Sequence, residues 1–228
     1  MEDYNMNIIK KTISTGIALK QDISRLFFWS RIAKVFSWDS SWYFDVVYRL
    51  CPDIYGDKHH DLLDNIVPHL TSQSKILDVW CGKGKDSIWL AEQWFNSITA
   101  IDSSSVWLAL FREKISNSIE DKISIHNLST SDYIHQNSDK RFDLISCANS
   151  LQYELQRDQC IKDLQAMTHQ WWYHMIMWPV IEDKSRKKLD QEIINNLYSH
   201  RTIIQSEILN KKRKEYDRPR LHFIAQKK

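Results

Sequence analysis

From Lys75 onward, short apolar runs alternate with segments whose apolar residues recur every three to four positions. KILDVW (75–80), SITAID (97–102), ISIHN (123–127), RFDLISCA (141–148) and YHMIMWPV (173–180) read as buried strands. Helical spacing over 84–93, 106–115, 155–168 and 183–199 separates them. Strands alternating with helices predict a parallel sheet covered on both faces. TIIQSEIL (202–209) and LHFIAQ (221–226) follow one another with no helix between, which predicts one antiparallel strand at the sheet edge. Before Lys75 the spacing is helical: Ile8 to Leu19, Ile23 to Phe36, and His60 to Leu70, with a turn at CPDIYGD. The pattern predicts a helical N-terminal cap over residues 1–60 and an α/β domain over 61–228.

The strand at 75–80 ends in the segment DVWCGKGKD, where Asp78 is followed by a tight loop containing Gly82 and Gly84 and then by a helix. Such a loop lets a ligand approach the backbone, and the helix start offers free N–H groups. Ligands of open α/β sheets bind at the carboxyl ends of the strands. Asp102 ends the next strand, where a carboxylate accepts hydrogen bonds from a ribose diol, and Ser103 follows it. Capping of the next helix is the less favoured use of Asp102, Ser103 to Ser105 being good caps too.

The remaining chemistry is narrower. Cys51, Cys81, Cys147 and Cys160 are scattered without a C-x-x-C pair, which argues against a zinc site or a disulfide framework and for reduced thiols in the cytoplasm. His59, His60 and Asp61 resemble a metal cluster, but adjacent side chains diverge, so they read as surface residues and no metal is expected. The net charge of +2 gives no global case for nucleic acid. The basic run KKRKEYDRPR (211–220) reads as a solvated hairpin tip, with RNA contact the less favoured use. The longest apolar runs, such as Met175–Ile181, fall short of the roughly 18 residues of a membrane span.

The ordered set of motifs resembles the class I S-adenosylmethionine-dependent methyltransferases, in the branch of small tellurite-resistance-like and ubiquinone-biosynthesis-like proteins. The resemblance covers roughly residues 60–228. It implies a Rossmann-like, seven-stranded, mostly parallel sheet with an antiparallel last strand and helices on both faces. It also implies S-adenosylmethionine as cofactor, with Asp78, Cys81, Gly82, Gly84, Asp102 and Ser103 around it. Asp132 in STSDYI would lie near the adenine. Asn149 in FDLISCANSLQYE would lie near the methionine moiety. Cys81 would serve packing and backbone contact. The acceptor implied is a small molecule, with Tyr153 a candidate on its side and no residue identified as a base. An RNA or protein methyltransferase and a non-catalytic binding module are the alternatives. A nicotinamide-dependent oxidoreductase is disfavoured because its G-x-G-x-x-G fingerprint is missing.

Composition changes this picture at one point. About 7% Gly would give roughly 16 glycines in a chain of this length; the sequence has 4, beside 10 tryptophans. Trp80 stands at the first glycine of the resembling family's loop motif. Trp94 follows a helix where glycine supplies a left-handed turn. Trp171 and Trp172 fill the turn expected before the fifth strand, Trp107 follows the second strand, and Trp178 lies near the end of the fifth. A bulky residue at positive φ is an outlier, and several such positions suggest one cause: UGA codons read as tryptophan in a lineage that reads them as glycine. A true Trp80 would instead narrow the cofactor pocket.

Overall fold

The computed structural model describes residues 45, 49, 55–151, 154, 156–179, 191–209 and 220–227. The chain divides into two compact units, Met1–Val47 and Tyr48–Lys228, and the second contains everything described below. The calls on the N-terminal helices before Tyr55, on Tyr153 and on the basic run before Arg220 lie outside the described residues.

The elements follow the apolar pattern closely. A short helix α1 (Leu62–Ile66) passes into a 3-10 turn at Val67–His69. The continuous helix expected over 60–70 is interrupted there because Pro68 has no N–H to donate. Next come β1 (Lys75–Val79), α2 (Lys85–Glu92), β2 (Ser97–Asp102), α3 (Ser105–Lys114), β3 (Ile123–Asn127), α4 (Thr130–Gln136), β4 (Phe142–Ala148) and α5 (Arg157–Ala166). The chain continues through β5 (Thr168–Pro179), α6 (Gln191–Leu197), β6 (Thr202–Leu209) and β7 (Arg220–Gln226). Helix α4 was not anticipated, since STSDYI reads as a polar loop. Its polar residues cap and start the helix, and Tyr133, fully buried, anchors it.

The seven strands form one sheet in the order β3-β2-β1-β4-β5-β7-β6. Strands β1 to β5 are parallel, and β7 runs antiparallel to both β5 and β6. The antiparallel strand is therefore interior, and β6 takes the edge expected for it. Period-two alternation sends Ile76 to one face and Leu77 to the other. Ile76 joins a core with Leu62, Ile66, Phe95 and Phe111, whereas Leu77 joins one with Ile145, Tyr198 and Phe223. A strand buried on both faces is apolar throughout, which is why KILDV carries one charge at its start and one functional acid. On β6, Ile203, Ile204 and Ile208 are exposed.

Strand β5 departs from expectation. It begins at Thr168, and Trp171 and Trp172 belong to it and not to a preceding turn. The ladder with β4 pairs Phe142 with Thr168 and then Leu144 with Tyr173. The residues between Thr168 and Tyr173 form an irregularity that stands where the turn was expected.

Strand order reverses around β1, with β2 on one side and β4 on the other. The crevice outside the carboxyl ends at such a switch point is where this architecture binds ligands.

Candidate active site

The loop after β1 makes three left-handed steps within five residues: Trp80 at φ 60°, Gly82 at 58° and Gly84 at 75°. Glycine at 82 and 84 is required by packing as well as by φ. A Cβ at Gly82 would lie 2.1 Å from the Trp107 ring, and one at Gly84 would lie 2.1 Å from the Phe111 ring. Both rings belong to α3, so the glycines let that helix pack onto the loop. The Cys81 N–H donates to the Ile101 carbonyl at 3.0 Å. The Cys81 thiol is buried and burial raises its pKa well above the ordinary thiol value, so it is protonated and not a nucleophile.

Asp102, buried at the end of β2, accepts from the Gly82 N–H at 2.9 Å through Oδ2 and from the Ser104 N–H at 2.8 Å through Oδ1. These bonds fix the carboxylate at the wall of the crevice. The capping reading goes to its neighbour: Ser104 Oγ accepts from the Trp107 N–H at the start of α3. Asp78, buried on β1, accepts from Ser87 Oγ at 2.6 Å. Burial and the nearby charge of Asp86 push its carboxyl up to about 7.

Asn149 follows β4 at φ 59°, and its N–H donates to the Met177 carbonyl at 2.8 Å. A non-glycine residue held in the left-handed region costs of order 1–3 kcal/mol and is characteristic of functional sites.

His60 is a correction. It was expected on the surface, yet it is buried, and its ring Nδ1 lies 2.5 Å from Asp86 Oδ2. Its backbone N–H donates to Asp86 Oδ1 at 2.9 Å. Adjacent side chains do diverge, but into different surroundings: His59 stacks on Trp89 at 3.9 Å and meets Asp64, while His60 turns inward. Sequence reasoning weighed the pair together and had no signal for a partner 26 positions away.

One cavity gathers most of the site. It is lined by His60, Asp78, Trp80, Cys81, Asp102 and Asn149, together with Tyr55, Lys85, Asp86, Trp107 and Ala148. Gly82, Gly84, Ser103 and Asp132 are absent from that lining. The Ser103 carbonyl accepts from Asn127 Nδ2, and Asp132 is engaged with Ser129 at the start of α4.

The indole of Trp80 spans the crevice. Its Nε1 donates to Thr130 Oγ1 at 2.9 Å and to Glu154 Oε1 at 3.2 Å, linking the start of α4 to the segment after β4. The cavity left beside it is about 40 Å³, far below the roughly 300 Å³ at which ligand pockets begin.

Residues 76–170 match a family model described as a methyltransferase domain. The matched segment is a methyltransferase domain, and the sheet it lies in has the fold of S-adenosylmethionine-dependent methyltransferases. Solved structures of this fold resemble the methyltransferase at low identity. The cyclase SpnF superposes with a TM-score of 0.67 at 15% identity, covering 82% of this chain and 95% of that one. TehB from Haemophilus influenzae gives 0.57 at 19% identity, covering 75% and 62%. The magnesium protoporphyrin IX methyltransferase of Synechocystis PCC 6803 with bound SAM gives 0.58 at 13% identity, covering 73% and 76%. A search of curated proteins finds no match. The matches do not separate the tellurite-resistance branch from the ubiquinone branch.

The donor set of the methyltransferase fits its class cofactor. Asp102 presents a fixed carboxylate for ribose hydroxyls, the glycine loop brings backbone close, and Asn149 offers an amide at the β4 end. The Trp80 indole competes for the same crevice. No helix among the described residues is long and apolar enough to cross a membrane, and they contain no cluster that could hold a metal ion.

Proposed function

We propose that this methyltransferase transfers the methyl group of S-adenosylmethionine to a small-molecule acceptor in the cytoplasm. The bound cofactor supplies an electrophilic methyl group, so the protein's part is chiefly to orient the acceptor. The observation that carries the reading is Asp102, buried and fixed at the end of β2, facing one cavity with the glycine loop and Asn149. Asp78 and Cys81 line that cavity, Gly82, Gly84 and Ser103 belong to the same cofactor site, and Asp132 serves its adenine side.

Trp80 favours a second reading. With its indole across the crevice, the chain serves as a cofactor-free binding module that keeps the fold. Calorimetry with S-adenosylmethionine on the chain and on Trp80→Gly separates the two. Binding in the chain itself supports the methyltransferase reading, binding only in Trp80→Gly shows that the indole closes the cofactor site, and binding in neither leaves the module. A methylation screen with labelled cofactor against metabolites and against RNA then tests the acceptor; label in RNA alone overturns the small-molecule proposal.

A further inference from the structure

The inner wall of the cavity holds a histidine gripped by a carboxylate, which the binding of a sulfonium cofactor does not require. Asp86 holds His60 at two points, accepting the backbone N–H through one oxygen and facing ring Nδ1 with the other. This grip fixes both the ring plane and the tautomer: in the neutral ring the proton sits on Nδ1 and Nε2 is an acceptor. Nε2 faces Asn149 Nδ2 at 3.4 Å, a long contact to the left-handed residue that follows β4. Both residues line the cavity.

We propose that His60 is the general base that takes a proton from the methyl acceptor, with Asp86 and Asn149 as positioning residues, and that the acceptor is therefore a hydroxyl, phenol or amine. The proposal rests on the methyl-transfer reading. A thiolate or carboxylate reaches the site already deprotonated and needs no base, whereas a protonated oxygen or nitrogen does. The acceptor's proton passes to His60 Nε2, and the freed electron pair forms the bond to the methyl carbon. The pair of the breaking S–C bond stays on sulfur.

The surroundings keep the ring ready to accept. Burial, Lys85 on α2 and Arg220 on β7 lower the basicity of His60, and Asp86 opposes them. In turn, burial and then the charge of Asp86 raise Asp78 on β1, whose carboxyl is pushed up to about 7. Burial is the largest of these effects, so the ring is neutral at pH 7.

Two measurements test the proposal. Nitrogen NMR of histidine-labelled protein without cofactor should show His60 neutral at pH 7 with the proton on Nδ1. A charged ring, or a proton on Nε2, overturns the base role whatever the acceptor. The second uses labelled S-adenosylmethionine with catechol, a simple phenol, a primary amine and a thiol, with cofactor binding followed in parallel. Transfer to an oxygen or nitrogen acceptor supports the proposal. His60→Gln should then slow it by roughly 10²–10⁴-fold and abolish the acid limb of the pH profile. Equal slowing at every pH marks a merely structural histidine and overturns the role. Transfer to the thiol alone, or to none of the four while cofactor binds, overturns the acceptor class and leaves methyl transfer standing. Absence of cofactor binding removes the reading itself.

The backbone carries a second, independent inference. Among the described residues only Trp80, Trp94 and Asn149 hold positive φ without being glycine, and two of these three are tryptophan in a chain with 4 glycines. We infer that positions 80 and 94 are glycine in the protein made by its native host, through UGA codons read there as glycine. Trp107 does not share the argument, since it lies in a regular helix. Peptide mass spectrometry of protein isolated from that host should read glycine at both positions. Tryptophan at either overturns the inference for that position.

Discussion

Trp80 and Trp107 stand on either side of Gly82 and line the same cavity. Trp107 sits in the first turn of α3, its N–H bonded to the Ser104 cap, its ring buried and laid on the glycine loop. Trp80 sits on a backbone at φ 60°, half-buried, with its indole reaching across the crevice. The first residue is held by its local structure, and the second is held against it. Both were grouped in sequence as tryptophans at glycine-like positions, and the structure divides them. The glycine at 82 exists partly to make room for the ring of Trp107. The left-handed turn at 80 is a position where no side chain helps the backbone.

Trp107→Ala sharpens that division with the largest effect. Truncating a buried aromatic costs about 3–5 kcal/mol, read as a lower urea midpoint with an unchanged slope. A loss under about 1 kcal/mol would show that the ring merely covers the loop.

The two tryptophans also show what a sequence can and cannot carry. Strands 97–102, 123–127 and 202–209 match their observed limits because their apolar pattern and their neighbours agree. Asp78, Gly82, Gly84 and Asp102 were legible because a strand, a turn and a helix in fixed succession leave those residues at one place. His60 was not, because its meaning lies in Asp86 on another element, and spacing does not encode such a pairing. Helix α4 was hidden by its own caps, since Ser129 and Asp132 carry the composition of a loop. Trp171 and Trp172 looked like a turn and proved to be an irregular part of β5, a distinction that only the ladder with β4 makes.

Asp78 lines the cavity with both indoles and brings in pH. Its carboxyl is raised, so between about pH 4 and 7 the folded chain keeps a proton that the unfolded chain gives up. Stability from this group therefore falls as pH rises from the ordinary carboxylate value through about 7 and is level above that. Asp78→Asn keeps an oxygen for Ser87 and removes the titration. Its stability relative to the parent should grow from pH 4 to pH 7, with a ceiling of about 4 kcal/mol. A constant offset across that range, in thermal melts, would show that Asp78 is ionised throughout.

Trp80 itself is best broken by two substitutions. Trp80→Ala removes the indole and keeps the strain, whereas Trp80→Gly removes both. The glycine variant should be the more stable of the two by about 1–2 kcal/mol, the cost of a left-handed residue with a Cβ. Both should bind S-adenosylmethionine at least about tenfold more tightly than the parent, a gain of about 1.4 kcal/mol. Equal affinity in all three would show that the indole leaves the crevice without cost.

Trp94 gives the smallest effect and isolates the backbone from the pocket. It follows α2 at φ 104°, is 55% exposed, and its ring lies 6.1 Å from that of Phe95. It is absent from the cavity lining. With little burial to lose, Trp94→Gly should stabilise the chain by about 1 kcal/mol through relief of the left-handed turn. Trp94→Ala should give no such gain, and neither should change cofactor binding. If glycine and alanine proved equal at 94 yet differed at 80, the strain at Trp80 would belong to the crossing of the crevice and not to its φ. If they differed equally at both, the left-handed backbone alone accounts for the contrast with Trp107.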